Sequence, residues 1–151
     1  VTWIRSDVVR AARDLKGRAD LTVCLNVITS PSAAKRDALW SAVAAVTKPG
    51  GHALVVVPAL ESAELINDVE RARNADGNGP PRRGLVNVDG QKQKYYSHDE
   101  VTTEVTRHGM VVKRLVQASY PWTEEMDEAP DNVAQLPWDW ACLARRSALV
   151  A

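Results

Sequence analysis

Apolar and polar residues follow one another in blocks along the first part of the chain, and the blocks have the lengths of strands and helices. The opening segment Val1–Arg5 is rich in apolar residues and predicts a strand. Ser6 or Asp7 can then cap a short helix that ends at Gly17. A nearly continuous apolar run follows at Asp20–Ile28, which is typical of a strand covered on both faces.

The next blocks repeat this alternation. Ser30 followed by Pro31 predicts the start of a helix, and the helix is expected to end at the breaker sequence K-P-G-G, residues 48–51. The β-branched run His52–Pro58 predicts a further buried strand. The resulting βαβαβ order predicts a parallel sheet with helices on both faces.

The second part of the chain has weaker but recognisable signals. A helix is predicted over Leu60–Arg73, and a breaker-rich, locally basic stretch from Asn74 to Lys94 indicates a surface loop. Ser97 and Glu100 have capping-box spacing and open a helix that ends at Gly109. Two strands close the chain, at Met110–Ala118 and Pro137–Ala144. We expect these two strands to form a C-terminal antiparallel pair.

Length and composition narrow the class of protein. The chain has 151 residues, of which 45% are hydrophobic, so it fits one globular domain with one core. Nineteen basic residues balance nineteen acidic ones, so no global field favours nucleic acid or an anionic membrane. Two cysteines in apolar segments, Cys24 and Cys142, indicate buried thiols and a cytoplasmic protein, or a mitochondrial one if an upstream segment is missing.

Several kinds of active site lack their motifs. The three histidines do not have the spacing of metal ligands, so no metal site is expected. The sequence contains no G-x-S-x-G elbow, no phosphate-binding loop with Gly-Lys-Ser/Thr and no G-x-G-x-x-G fingerprint. Hydrolase and nucleotide-triphosphatase functions are therefore disfavoured, and no general base can be identified.

Two stretches carry a resemblance to a known family. The run D-L-T-V-C-L-N-V, a capped helix and then K-P-G-G-H-A-L-V-V-V-P resemble the second half of a class I S-adenosylmethionine-dependent methyltransferase. The downstream Y-Y-S-H-D-E, H-G-M, S-Y-P-W and P-W-D-W-A-C-L-A-R-R-S are similar to the same family. The resemblance implies an α/β fold with a partial Rossmann-like sheet, S-adenosylmethionine as cofactor and methyl transfer to an unknown acceptor.

The family's first elements have no counterpart in this sequence. Neither the G-x-G-x-G loop that holds the methionine tail nor the acid that binds the ribose is present. The resemblance therefore implies one incomplete domain over 1–151, with a core part at 1–59, a helix and loop at 60–96 and a C-terminal part at 97–151. If Val1–Arg5 matches the family's third strand, strands are missing beside Leu21–Asn26. We then expect the chain either to aggregate or to pair its first strand directly against Leu21–Asn26.

The resemblance also assigns candidate site residues. Asp7 matches the acid that meets the adenine amino group, and Val8 offers a backbone N–H beside it. Asn26 and Val27 match the end of the strand that lines the pocket near the reacting methyl. Three further residues match the substrate side: Tyr95, Tyr96 and His98.

Each assignment has a purely structural alternative. Asp7 can act only as a helix cap, Asn26 as a turn residue, and the Tyr95–His98 segment as a hydrophobic staple around the cap at Ser97. For the whole chain, the main alternative is a non-catalytic or degenerate Rossmann-like interaction module, which the missing glycine loop favours. A dinucleotide-binding oxidoreductase half is disfavoured because no Tyr-x-x-x-Lys is visible. If the chain is part of a methyltransferase domain, the 151 residues alone are expected to be inactive.

Overall fold

The computed structural model describes residues 3–73, 84–88, 90–131 and 133–148. These residues form four α-helices, six strands and one 3-10 helix. In chain order they are α1 Val8–Asp14, β1 Ala19–Leu25, α2 Ala33–Val46, β2 Thr47–Pro58, α3 Leu60–Arg73, β3 Leu85–Val88, β4 Gln91–Lys94, α4 His98–Arg107, β5 Met110–Ser119, the 3-10 helix Trp122–Glu124 and β6 Trp138–Arg146.

Four strands form one mixed sheet in the order β1-β2-β6-β5. β1 runs parallel to β2, whereas β6 is antiparallel to both of its neighbours, β2 and β5. The α/β class and the C-terminal antiparallel pair expected from the sequence are therefore confirmed. β1 is the first strand in this order and lies at one edge of the sheet, and β5 lies at the other edge.

The core lies against one face of this sheet. Alternate residues of β2 and β6 are buried there, among them Val55, Val57 and Cys142. Helix α2 contributes Trp40 and Val43 to the same cluster, and α4 contributes two valines at i and i+4, Val101 and Val105. The apolar side chains on one face of the strands therefore pack against the apolar faces of α2 and α4 and form one core layer.

The opposite face of the sheet is much more open among the described residues. Leu21, Val23 and Leu25 of β1 are 54–56% exposed, and Val111 and Val116 of β5 are also exposed. The apolar run of β1 predicts that both faces of this strand are covered. In the structure, the described helices leave one of its faces open.

The helix caps were predicted well, with one shift. Asp7 caps α1 by accepting a hydrogen bond from the Arg10 N–H at 3.1 Å. The predicted capping box of α4 is confirmed, with Ser97 and Glu100 bonded reciprocally. The cap of α2 is Ser32 rather than Ser30, whose hydroxyl oxygen instead accepts from the Ser32 N–H.

Three predicted elements differ in the structure. Residues 3–5 form no strand and Trp3 is 91% exposed, so they do not pair with β1; Val1 and Thr2 lie outside the described residues. The expected loop contains the antiparallel hairpin β3–β4, while residues 74–83 of that loop lie outside the described ranges. The K-P-G-G sequence belongs to β2, where Gly51 lies so close to the Asp20 carbonyl oxygen that a Cβ would be 3.0 Å from it.

In the part of the chain that the structure describes, no helix is long and apolar enough to cross a bilayer.

Candidate functional site

The ends of four strands lie together at one end of the sheet, and polar side chains meet there. Asn26 directly follows β1, and Pro58 ends the parallel neighbour β2. Asp139 lies at the start of the antiparallel strand β6, opposite Pro58 on one side and Ala118 of β5 on the other. In open α/β sheets, ligands bind beyond the carboxyl ends of the parallel strands, which is where these residues lie.

Asn26 and Asp139 form the central contact at this end of the sheet. The Asn26 amide Nδ2 donates to Asp139 Oδ2 at 2.9 Å, although 113 positions separate the two residues. The Asn26 backbone has a φ of 51°, a left-handed conformation that asparagine adopts more readily than most residues. Its N–H donates to the Val56 carbonyl at 2.9 Å, so the turn is tied to the sheet. Because Nδ2 is bonded to Asp139, the Asn26 Oδ1 atom is the part of the amide that can accept from a ligand.

A second polar pair lies beside the first. The Tyr120 hydroxyl donates to Glu125 Oε1 at 2.7 Å, and Tyr120 directly follows β5. Burial raises the pKa of Asp139, and the Asn26 hydrogen bond opposes this rise. Partial desolvation also raises the pKa of Glu125, together with the negative charge of Asp139, while the Glu125 side chain keeps access to solvent.

Tyr95 responds to the same two carboxylates. Its pKa is raised to about 12, first by burial and then by the negative charges of Glu125 and Asp139. The pKa of Tyr120 is raised as well, by burial and by the bond to Glu125. We name this group the strand-end cluster, and it consists of five residues: Asn26, Tyr95, Tyr120, Glu125 and Asp139.

The segment that carries Tyr95 is fastened across the strand ends by backbone hydrogen bonds. The Lys94 N–H donates to the Thr29 carbonyl at 2.8 Å and the Tyr96 N–H to the Pro58 carbonyl at 2.8 Å. Tyr96 is 2% exposed, and its hydroxyl donates to the Ile28 carbonyl at 2.9 Å. Tyr96 is therefore a core anchor that holds its neighbour Tyr95 beside the cluster, as the hydrophobic-staple alternative supposes for this segment.

The other predicted site residues lie in local contacts. Asp7 uses Oδ1 for the α1 cap, and Val8 and Val27 are both exposed. The His98 backbone N–H donates to Glu61 Oε1 at 3.0 Å, and its ring packs edge-on against Trp140 with centroids 5.3 Å apart. The structure thus places both Tyr95 and Asn26 near Asp139, whereas the hydrogen bond of Asp7 is made within the first turn of α1.

Sequence reasoning missed Asp139, Glu125 and Tyr120. The acidic run at 124–131 was visible, but its composition gives no hint of which carboxylate turns toward the sheet. The sequence P-W-D-W contains one usable signal, because an acid between two apolar strand residues is uncommon in a buried strand. That acid is Asp139.

A groove of about 410 Å³ lies between α3 and the three residues Pro130, Asp131 and Val133, and it shares no lining residue with the strand-end cluster. Within the described ranges, no three His, Cys, Asp or Glu side chains are grouped so that they could hold a metal ion.

Burial disfavours the charged form of Asp139, so we expect Asp139→Asn to stabilise the fold at neutral pH. The folded-state pKa is raised, so the native state binds the proton more tightly than the unfolded state, and stability falls as pH rises through that raised pKa. Asp139→Asn keeps an acceptor for Asn26 and should raise the free energy of unfolding at neutral pH. Urea denaturation across a pH series should show the gain vanish below the ordinary Asp pKa.

Asp20→Asn is the control of opposite sign. Its hydrogen bond and charge interaction with Lys48 lower the pKa of Asp20, so removal of that charge should destabilise the fold at neutral pH and have no effect in acid. A loss of stability in Asp139→Asn at neutral pH would show that the Asp139 charge stabilises the fold.

Comparison with solved structures identifies proteins that have a similar fold. A methyltransferase from Mesorhizobium loti that depends on S-adenosylmethionine aligns with a TM-score of 0.61 over 96% of this chain, at 16% identity. An S-adenosylmethionine-dependent methyltransferase from Methanosarcina mazei aligns with a TM-score of 0.57 over 88% of the chain, at 12% identity. The chain has the fold of S-adenosylmethionine-dependent methyltransferases.

A third structure extends the comparison to a protein with a ligand. Magnesium protoporphyrin IX methyltransferase from Synechocystis, solved with bound S-adenosylhomocysteine, aligns with a TM-score of 0.55 over 97% of this chain, at 14% identity. The chain spans 69% of the Mesorhizobium protein, 61% of the Methanosarcina protein and 51% of the Synechocystis one. No protein-family model matches the sequence, and no curated protein matches it.

Proposed function

We propose that the chain is the acceptor-side part of a methyltransferase domain, which transfers a methyl group from S-adenosylmethionine to an acceptor nucleophile. The observation that carries this proposal is the bond between Asn26 and Asp139 at the carboxyl end of β1, in a fold shared with methyltransferases. The three parts at 1–59, 60–96 and 97–151 belong to this one incomplete domain. Two free thiols, Cys24 and Cys142, suit the cytoplasmic location that is part of the same proposal.

The residues of the strand-end cluster fit the cationic half of S-adenosylmethionine. Its methionine end carries an ammonium and a sulfonium, and Asp139 and Glu125 supply negative charge that remains accessible to solvent or half-buried. Asn26 Oδ1 is an acceptor suited to the ammonium. At the adenine end, Asp7 keeps acceptor capacity beyond its cap bond because a carboxylate accepts several hydrogen bonds, and the Val8 N–H lies beside it.

The chain's own residues supply position and charge to the reaction. When bound, S-adenosylmethionine supplies an electrophilic methyl group. Asn26, held by Asp139, orients the ligand, while Val27 and Tyr95 border the place where the acceptor would approach. The rate advantage of such a site comes mainly from holding the two reactants in line at short range.

The proton released by the acceptor needs a base, and the cluster contains two carboxylates. We assign this role to Glu125, because its raised pKa and its accessibility to solvent suit a group that takes up a proton, while the hydrogen bond from Tyr120 holds the carboxylate in position. Tyr95 and His98 remain on the acceptor side of the proposal. Tyr96 acts through Tyr95, since its own ring is enclosed in the core.

The open face and edge of β1 favour a second candidate function. Their exposed leucines and valine suit a non-catalytic interaction module. The two candidates differ in one observable, which is whether the strand-end cluster binds the cofactor.

Titration of S-adenosylhomocysteine into the chain, followed by amide NMR, tests the proposal. The missing glycine loop removes two or three hydrogen bonds, at about 1.5–3 kcal/mol each where they are charge-assisted. We therefore expect a dissociation constant above about 100 μM, and the titration has to reach millimolar ligand. The Asn26 side-chain amide should shift, together with the backbone signals of Asp7 and Val8.

Variants separate ligand contacts from structural effects. Asp139→Ala should abolish the Asn26 shifts, whereas Asp20→Ala, at an exposed pair elsewhere, should leave them unchanged. Asp7→Ser retains a capping oxygen but is too short to reach a ligand, so it should weaken binding as much as Asp7→Ala without unfolding α1. Saturable shifts confined to other parts of the chain would favour the interaction module.

A further inference from the structure

Glu125 and Asp139 are carboxylates that have no Lys or Arg partner in the part of the chain that the structure describes. The carboxylates that do form ion pairs with Lys or Arg there lie elsewhere: Asp20, Asp37, Asp68, Glu100 and Glu104. A partly desolvated negative charge without a compensating cation is unfavourable for folding. Such charges are typical of functional sites, where a ligand supplies the missing opposite charge.

The charges that act on these two carboxylates are themselves negative. Burial raises the pKa of Glu125 most, and the charges of Asp139, Glu70 and Glu124 raise it further. Burial, followed by the charges of Glu125 and Asp139, raises the pKa of Tyr95 to about 12, so this phenol is neutral at physiological pH. The resulting negative potential attracts a cation and disfavours an acceptor that is a carboxylate, a phosphate or a phenolate.

The hydrogen bonds of the cluster leave two carboxylate oxygens as acceptors. Tyr120 donates to Oε1 of Glu125, and Asn26 donates to Oδ2 of Asp139. Among the described residues, no donor bonds to Oε2 of Glu125 or to Oδ1 of Asp139. An ammonium group has three N–H donors and no acceptor, so it complements these two oxygens better than a hydroxyl, which has one donor.

The acceptor side of the cluster lies away from β1. Tyr120 and Glu125 both follow β5, and β2 and β6 separate β5 from β1. This negative region is therefore built by the C-terminal elements of the chain. The half-buried phenol rings of Tyr95 and Tyr120 are neutral aromatic surfaces, which suit an alkylammonium because its charge is attracted to a ring face.

We propose that the methyl acceptor is an alkylamine that binds in its ammonium form against Glu125 and Asp139, an inference that rests on the proposed methyl transfer. Glu125 takes one proton from the ammonium and later releases it to solvent. The lone pair left on nitrogen forms the new bond to the methyl carbon, while the S–C bond breaks and its electron pair stays on sulfur. The products are a methylated ammonium, S-adenosylhomocysteine and one proton.

Titration of butylammonium chloride into the 151-residue chain, followed by amide NMR, tests this proposal. The signals of Tyr95, Tyr120 and Glu125 should shift saturably, with a dissociation constant in the millimolar range because the probe is small. Butanol and pentanoate carry the same butyl group and are titrated at the same ionic strength. Both should bind at least about tenfold more weakly, since butanol has no charge and pentanoate is repelled.

Two variants locate the binding of the ammonium. Glu125→Gln keeps an acceptor for the Tyr120 hydroxyl but removes the charge, so it should raise the dissociation constant of butylammonium about tenfold. Asp127→Asn is the matched control, because Asp127 is an exposed acid in the same acidic run, and it should change the constant less than about twofold. The amide of acetyl-lysine carries the same ammonium group on a peptide unit. Tighter binding of this compound than of butylammonium would identify a lysine side chain as the acceptor, and weaker binding a free amine.

The amine and the methyl transfer fail in different experiments. Equal binding of butylammonium, butanol and pentanoate, or an unchanged constant in Glu125→Gln, would overturn the amine. If S-adenosylhomocysteine shifts Asn26 while butylammonium causes no saturable shift, the amine is wrong and the proposed function stands. If butylammonium binds as expected but S-adenosylhomocysteine shifts only residues outside the cluster, the methyl transfer is wrong, and the role of the amine as acceptor fails with it.

Discussion

We expect Trp40→Ala to lower the free energy of unfolding by about 3–5 kcal/mol. Trp40 is 0% exposed and lies at the centre of the core between α2 and the sheet. Its ring meets the Tyr96 ring edge-on, with centroids 6.1 Å apart, and lies nearly parallel to the His108 ring at 6.4 Å. Truncation to alanine removes these contacts and leaves a cavity that the surrounding strands can fill only in part.

The same substitution should reach the strand-end cluster through Tyr96. Tyr96 anchors Tyr95, so loss of its neighbour should increase hydrogen exchange at Lys94 and Tyr96, whose N–H groups hold the segment to Thr29 and Pro58. Chemical denaturation measures the stability change. Trp40→Phe keeps a ring at the same place and should lose less, which preserves a folded variant for comparison if Trp40→Ala is too unstable.

Trp3→Ala is the matched control for Trp40→Ala. Trp3 is almost fully exposed and does not itself belong to a helix or strand, so its removal should change stability by about 0.5 kcal/mol or less. Equal losses in Trp3→Ala and Trp40→Ala would contradict the assignment of the core to the α2 face of the sheet.

The elements with strong local signals were predictable from the sequence. The α4 capping box needs only Ser97 and Glu100 three residues apart, and the bounds of α3 at Leu60–Arg73 follow from its periodic apolar residues and the breakers after it. These signals lie within a few residues, so no tertiary contact is required to recognise them.

The elements that depend on pairing with another segment were not predictable. Gln91–Lys94 has no apolar alternation, yet it forms a strand because Leu85–Val88 pairs with it and Lys94 bonds to Thr29. Val1–Arg5 has strand-forming residues, but its described part, residues 3–5, pairs with no described strand and forms no strand. The expected aggregation of the chain remains a prediction.

The candidate site was predictable only in part for the same reason. Asn26 was recognised because it ends an apolar strand. Its partner Asp139 lies 113 positions away, and only the antiparallel addition of β6 beside β2 brings the two together. Glu125 was one acid among five in its segment, and its contact with Tyr120 depends on where β5 ends.

The second large effect is expected at the ion pair that supports the Tyr95 segment. Lys94 Nζ lies 2.7 Å from both carboxylate oxygens of Glu100, and the Lys94 side chain is only 6% exposed. Glu100→Gln removes the opposite charge while a glutamine can still serve in the capping box. Because a buried ammonium then loses the negative charge of Glu100, the free energy of unfolding should fall by about 3 kcal/mol, the lower end of the range for buried pairs, since Glu100 is partly exposed.

A double-mutant cycle identifies the cause of that loss. Lys94→Met replaces the buried ammonium with an apolar group of similar length, so Lys94→Met combined with Glu100→Gln should recover most of the stability that Glu100→Gln loses. Asp20→Asn breaks the exposed pair with Lys48 and should cost far less, because solvent screens that pair. If the double variant is no more stable than Glu100→Gln alone, the loss arises from helix α4 and not from the lost attraction between Lys94 and Glu100.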